Sequence, residues 1–189
     1  MKTANSENSI GELITNRRTI HDFKPQPVPP VDILKQAIDI SRWAPNHHLT
    51  EPWHIYLLGR ETVTAVVELN TELVRQKDGE EAAAAKQARW SAIPGWFVVT
   101  CDKSSDNRQQ QEDYAACCCM IQNMLLFLWS RDIGVKWSTG KVIRDERFYD
   151  LLWIDSSAEF VVGMFWYGYA AEVPVMTRKP AEQIYIDLP

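Results

Sequence analysis

The sequence predicts a fold of the α+β or α/β class, with helices and strands mixed along one chain and an apolar helix laid against a sheet. Three observations predict it. Residues 114–129 are hydrophobic on nearly every side, the pattern of a central buried helix. The run Gly-Trp-Phe-Val-Val-Thr-Cys at 95–101 is strongly β-prone. The chain has 189 residues, 46% hydrophobic and 24% charged, enough for a substantial core in a single domain spanning 1–189.

The elements follow in order. Ser9-Ile10-Gly11-Glu12 reads as a capping box opening a short helix, with Ile10, Leu13 and Ile14 on one side. That helix ends near Asn16 and delivers Arg17 into the next segment. Pro25, Pro27, Pro29 and Pro30 force an extended stretch, because proline fixes φ and cannot donate to a ladder. A second helix starts after Pro30, with Val31, Leu34, Ala37 and Ile38 at helical spacing, and runs through Trp43. Pro45 stops it and begins a loop. Residues 54–58 predict a strand ended by Gly59, and 61–92 read as helical around an alanine-rich centre. Residues 104–111 are polar enough for a loop. Residues 134–140 read as a short strand ending at small polar residues, 144–152 as a surface helix, and 160–169 as a buried strand. An irregular tail, 177–189, completes the chain.

Composition excludes several functions. A formal charge of −5 gives no support to nucleic acid as a partner, since polyanions need a basic face. No stretch approaches the roughly 20 apolar residues of a membrane span, and the N-terminus lacks a secretion signal. Of four cysteines, three are consecutive, Cys117-Cys118-Cys119. Neighbours on a helix point about 100° apart, so they cannot converge on one metal. They read as small core fillers in a reducing cytoplasm, and no metal site is expected. Most of the eight tryptophans read as an aromatic core. Neither GxGxxG nor GxxxxGK[ST] occurs, so any nucleotide must be held by side chains. No Ser-His-Asp or Cys-His constellation of recognisable spacing is present.

Two segments carry the functional signal. Arg17-Arg18-Thr19 sets two guanidinium groups beside a hydroxyl where a helix stops, which is equipment for holding a phosphate. Alone, such a pair more often complements a helix terminus. Ala44-Pro45-Asn46-His47-His48, continuing to Glu51-Pro52-Trp53, is a proline-bounded loop of imidazoles and an indole, suited to the edge of a flat aromatic ligand.

Their order and separation resemble the opening of the FMN-dependent nitroreductase family. The resemblance extends to Trp137-Ser138-Thr139-Gly140, to 163–168, and to the basic Thr177-Arg178-Lys179-Pro180. The short length is most similar to the small bacterial NAD(P)H nitroreductase subgroup. The resemblance implies an α+β homodimer, with a mixed sheet flanked by helices, that holds FMN at the subunit interface. It implies transfer of two electrons from NADH or NADPH to a small-molecule acceptor such as a nitroaromatic or quinone, by a ping-pong mechanism with the chemistry carried by FMN. Arg17 and Thr19 match phosphate-binding positions, with Arg18 beside them. Trp43 and His47 match positions lining the flavin from the partner subunit. Trp137, Ser138 and Thr139 match a segment along the ring, and Arg178 or Lys179 the late basic residue of the phosphate site. Leu49 and Glu51 stand where the family more often has Asn and Gln, and His21 where another basic residue is common. The flavin hydrogen bond of that Asn then falls to Asn46 or His47. Alternatives are another flavin-dependent reduction (dehalogenation, or reduction of enals or semialdehydes) and a non-catalytic flavin- or ligand-binding protein.

Overall fold

The computed structural model describes residues 10–189, so the Ser9 end of the capping box lies outside the described residues. Four strands, β1 (Trp53–Leu57), β2 (Gly95–Asp102), β3 (Ile133–Ser138) and β4 (Glu159–Tyr169), form one sheet in the order β1-β2-β4-β3. All three strand pairings are antiparallel; an isolated bridge from Thr19 to Val135 is parallel. This is the helix-and-sheet architecture the resemblance implies.

Alternation along β2 explains why its sequence is an unbroken apolar run. Phe97, Val99 and Cys101 enter the core on one face, and Trp96 and Val98 that on the other. The first core lies under α2 (Val31–Ser41) and α5 (Asn107–Trp129), with Leu34, Met120, Ile121 and Met124 almost fully buried. The second lies under α3 (Arg60–Asp78), α4 (Glu80–Ser91) and α6 (Glu146–Leu152). There Trp90, Trp96 and Trp166 meet edge to face, at centroid distances of 5.4, 5.1 and 5.4 Å. Trp43 and Trp153 are instead exposed, so the aromatic core accounts for only part of the tryptophan content.

Several boundaries differ from expectation. The helix over 61–92 is two helices, because Gly79 takes φ +90 and ends α3 before α4 begins. The polar stretch 104–111 is not a loop throughout. Asp106 caps α5 by accepting from the Arg108 amide at 2.8 Å, so the polar residues that follow form its solvent-facing first turns. The helix α2 stops at Ser41, two residues early. The surface helix at 144–152 is a 3-10 turn (Lys141–Arg144) followed by α6, whose Phe148 and Leu152 are buried. The cysteines fan out as their spacing dictates, and this corrects the filler reading for one of them. Cys101 and Cys117 are buried, Cys118 is half-buried and Cys119 exposed. Among the described residues no helix is long and apolar enough to cross a membrane.

Candidate functional site

The short helix α1 (Ile10–Asn16) ends where the Arg17 amide bonds back to the Leu13 carbonyl at 3.0 Å. Ile20, fully buried, then pins the chain to the outer edge of β3, its amide donating to the Val135 carbonyl at 3.2 Å. Gly134 makes that approach possible, since a Cβ there would stand 2.3 Å from the Ile20 side chain. Arg17 to Thr19 are thereby fixed beside β3.

Arg17, Arg18 and Arg178 are gathered into one corner. The Arg17 Nε is buried and has no hydrogen-bond partner among the described residues. Burial pushes the Arg17 pKa down, and the neighbouring charges of Arg178 and Arg18 push it further. Arg18 turns one nitrogen back onto the Thr15 and Arg17 carbonyls, at 2.7 and 2.9 Å. The Arg178 guanidinium bonds its neighbour's carbonyl, Thr177, at 3.1 Å. Three mutually repelling cations around an orphaned buried N–H form a ready anion site. Thr19 is exposed at its rim. Lys179 is exposed and makes no ion pair among the described residues.

The segment 137–139 closes that same strand, β3. Trp137 is half-buried, rests over Gly163 and donates its indole N–H to the Val162 carbonyl at 3.2 Å. That group is committed to the fold, whereas the Ser138 and Thr139 hydroxyls make no hydrogen bond among the described residues. The Thr139 carbonyl is held by Arg144 at 3.1 Å.

The loop at 46–51 is built differently, and no hydrogen bond or ion pair joins it to the Arg17 corner among the described residues. His48, Leu49 and Glu51 have φ of 62, 52 and 45, a left-handed backbone unusual for residues other than glycine. Asn46 accepts from the Glu51 amide at 2.7 Å and donates to Thr50 at 3.0 Å. Thr50 donates to the buried Asp113 carboxylate. His47 pairs through Nδ1 with Glu112 at 2.8 Å, and its ring stacks on His48 at 3.8 Å. His47 and Arg108 together hold the Glu112 carboxyl below its ordinary pKa. Asn46 is thus spent on the loop. Of the two candidates for the missing family Asn, His47 keeps a nitrogen, Nε2, that is unengaged among the described residues. Trp43 is 77% exposed under the Arg42 guanidinium, and Leu49 is 80% exposed.

Glu112 and Asp113 are the residues that sequence reasoning missed. They lie 65 and 63 positions from the loop groups they hold, and two adjacent acids at the start of a helix were the only signal.

Comparison with known proteins fits this geometry. The Nitroreductase family profile matches residues 14–169. The chain is 29% identical over 185 residues to the Bacillus subtilis protein named "Putative NAD(P)H nitroreductase YfhC", covering 95% of this chain and 94% of the other. Its fold superposes on the crystal structure of a nitroreductase-like family protein from Bacillus cereus with a TM-score of 0.85 and 28% identity, covering 98% and 99% of the two chains. The fold is also that of NfnB from Sphigopyxis sp. strain HMH, described as an FMN and NADPH-dependent nitroreductase (TM-score 0.75, 14% identity, 96% and 99% covered).

Proposed function

The chain belongs to the nitroreductase family, and from that premise we propose that it is an FMN-dependent oxidoreductase. It moves two electrons from NADH or NADPH to nitroaromatic, quinone or related small-molecule acceptors, as a cytoplasmic homodimer with 1–189 as one FMN-binding domain. The observation that carries the reading is the buried Arg17 Nε, without a partner among the described residues, beside the charges of Arg18 and Arg178. A phosphate monoester there would supply the acceptor that Nε lacks and neutralise the repulsion.

The residues fit FMN in type and placement. Arg17, Arg18 and Arg178 would hold its phosphate, with Thr19 as a hydroxyl donor at the rim. The Ser138 and Thr139 hydroxyls would face the ring edge, where donors stabilise developing negative charge. Bound there, FMN supplies the hydride chemistry, and the protein orients it and leaves one face open. His47 Nε2 and Trp43 sit on an exposed loop that would close over the ring from a second copy. Exposed Leu49 and Val175, with Ile184 and Ile186 in the tail, give that copy apolar surface to cover.

One open face serves donor and acceptor in turn. With NADH or NADPH as donor and a nitroarene or quinone as acceptor, double-reciprocal rate plots should be parallel. Intersecting lines would rule out that order of events. Failure of both NADH and NADPH to bleach bound FMN would remove the oxidoreductase reading.

A further inference from the structure

We propose that an open cavity between α3 and the 3-10 turn after β3 is a binding site for an aromatic carboxylate. The turn contributes Lys141 and Arg144, with Asp145 directly after it, and the last turns of α3 contribute Leu73, Gln76 and Lys77. The volume is about 500 Å³, within the roughly 300–1,000 Å³ of small-molecule sites. None of Arg17, Arg18, Thr19 or Arg178 lines it, so the site stands whether or not the chain uses FMN.

Local geometry sets two cations side by side here. Val142 and Ile143 are almost fully buried, which anchors the turn in the second core. Residues i and i+3 of a 3-10 helix eclipse, so exposed Lys141 and Arg144 project together, away from that anchor. Arg144 is also held in place, because one guanidinium nitrogen donates to the Thr139 carbonyl at 3.1 Å. Neither cation makes an ion pair among the described residues. The neighbouring carboxylates are committed elsewhere. Asp145 meets Arg147 through both oxygens at 3.0 Å, and Asp78 meets Lys77 at 2.9 Å. Glu72 is shared between Arg147 and Gln76.

Those two cations set the ligand's charge, and the rest of the lining sets its body. Most of the lining is carbon, yet among the described residues Leu73 is the only apolar one in it. Much of that carbon therefore comes from the stems of the long polar side chains. Such walls suit a flat hydrocarbon ring. A carboxylate on the ring would take the Lys141 ammonium and the remaining Arg144 N–H groups as charge-assisted donors. A bare anion such as phosphate would leave the carbon surface in water, and a neutral arene would leave both cations without a counter-ion.

Titration of the purified protein with 2-naphthoate, with FMN at saturation, tests the proposal. Calorimetry should show one saturable site per chain, and ring currents should shift the Leu73 methyl resonances. The neutral 2-naphthamide should bind about tenfold more weakly. Inorganic phosphate at the same concentration should not displace the naphthoate. Lys141→Gln removes an exposed charge, so the fold stays intact while naphthoate affinity should fall about three- to tenfold. Arg17→Ala should bind naphthoate as the parent protein does. No saturable binding, unmoved Leu73 methyls, or equal affinity for acid and amide would each overturn the proposal. So would displacement by phosphate or an affinity untouched by Lys141→Gln. Loss of naphthoate binding in Arg17→Ala would overturn it too, by putting the carboxylate at the Arg17 corner.

Discussion

The Arg17 corner and the loop at 46–51 solve opposite problems. At the corner, like charges are crowded together and a buried donor is left unpaired. At the loop, Asn46, His47 and Thr50 are all engaged, and the cost falls on the backbone, where three residues hold left-handed φ. An unsatisfied polar cluster carries a cost that a bound partner can recover. A strained loop tied by Asn46, Thr50 and His47 Nδ1 holds a shape for presentation, because its surroundings over-determine it. The difference separates a receiving surface from a presenting one within one chain.

Breaking the corner should have the largest effect, and on binding rather than folding. Arg17→Ala removes a charge-assisted bond worth about 1.5–3 kcal/mol, so FMN affinity should drop about ten- to a hundredfold. The flavin-free protein should be no less stable in urea, since repulsion from Arg18 and Arg178 is relieved. Unchanged FMN affinity in a flavin fluorescence titration would end the assignment.

Breaking the loop should show the reverse. Asp113→Ala takes away the buried acceptor of Thr50 and leaves that hydroxyl with Asn46 alone, which should cost about 1–3 kcal/mol of stability in urea unfolding. The His47 ring resonances should move as the loop relaxes. An unaltered unfolding midpoint with unaltered His47 resonances would show that Asp113 does not hold the loop.

The smallest change sharpens the contrast. Glu51→Gly relieves a left-handed residue, for which the penalty is about 1–2 kcal/mol. Glycine returns about 0.5–1 kcal/mol of that to the unfolded chain. A net gain of about 0.5–1 kcal/mol in thermal unfolding is expected. A loss would mean that the backbone at 51 is not strained.

The sequence exposed the corner better than the loop, for physical reasons. Arg17, Arg18 and Thr19 are adjacent, and a helix end before them is signalled locally. The family resemblance names Arg178 without choosing between it and Lys179; the fold is what brings Arg178 to Arg17. The loop's supports, Glu112 and Asp113, come from a distant helix, and no local pattern connects acids on α5 to a loop before β1. Strands were legible from their apolar runs and their Gly and Pro boundaries. The break at Gly79 was not, because a glycine inside a helical pattern is tolerated as often as it terminates one. The start of α5 was obscured because its first turns face solvent and look like a loop in composition.

The edge-to-face trio of Trp90, Trp96 and Trp166 has an optical consequence. Indoles about 5 Å apart in fixed, inclined planes couple their electronic transitions, so near-ultraviolet circular dichroism is dominated by the second core. Trp43, on the loop side, and Trp153, at the end of α6, are exposed and contribute chiefly through fluorescence that solvent quenchers can reach. In Trp153→Phe the quenchable signal narrows to the loop side, so loosening of the loop can be followed by quenching while the coupled band reports that the sheet and its α3–α4 cover are intact.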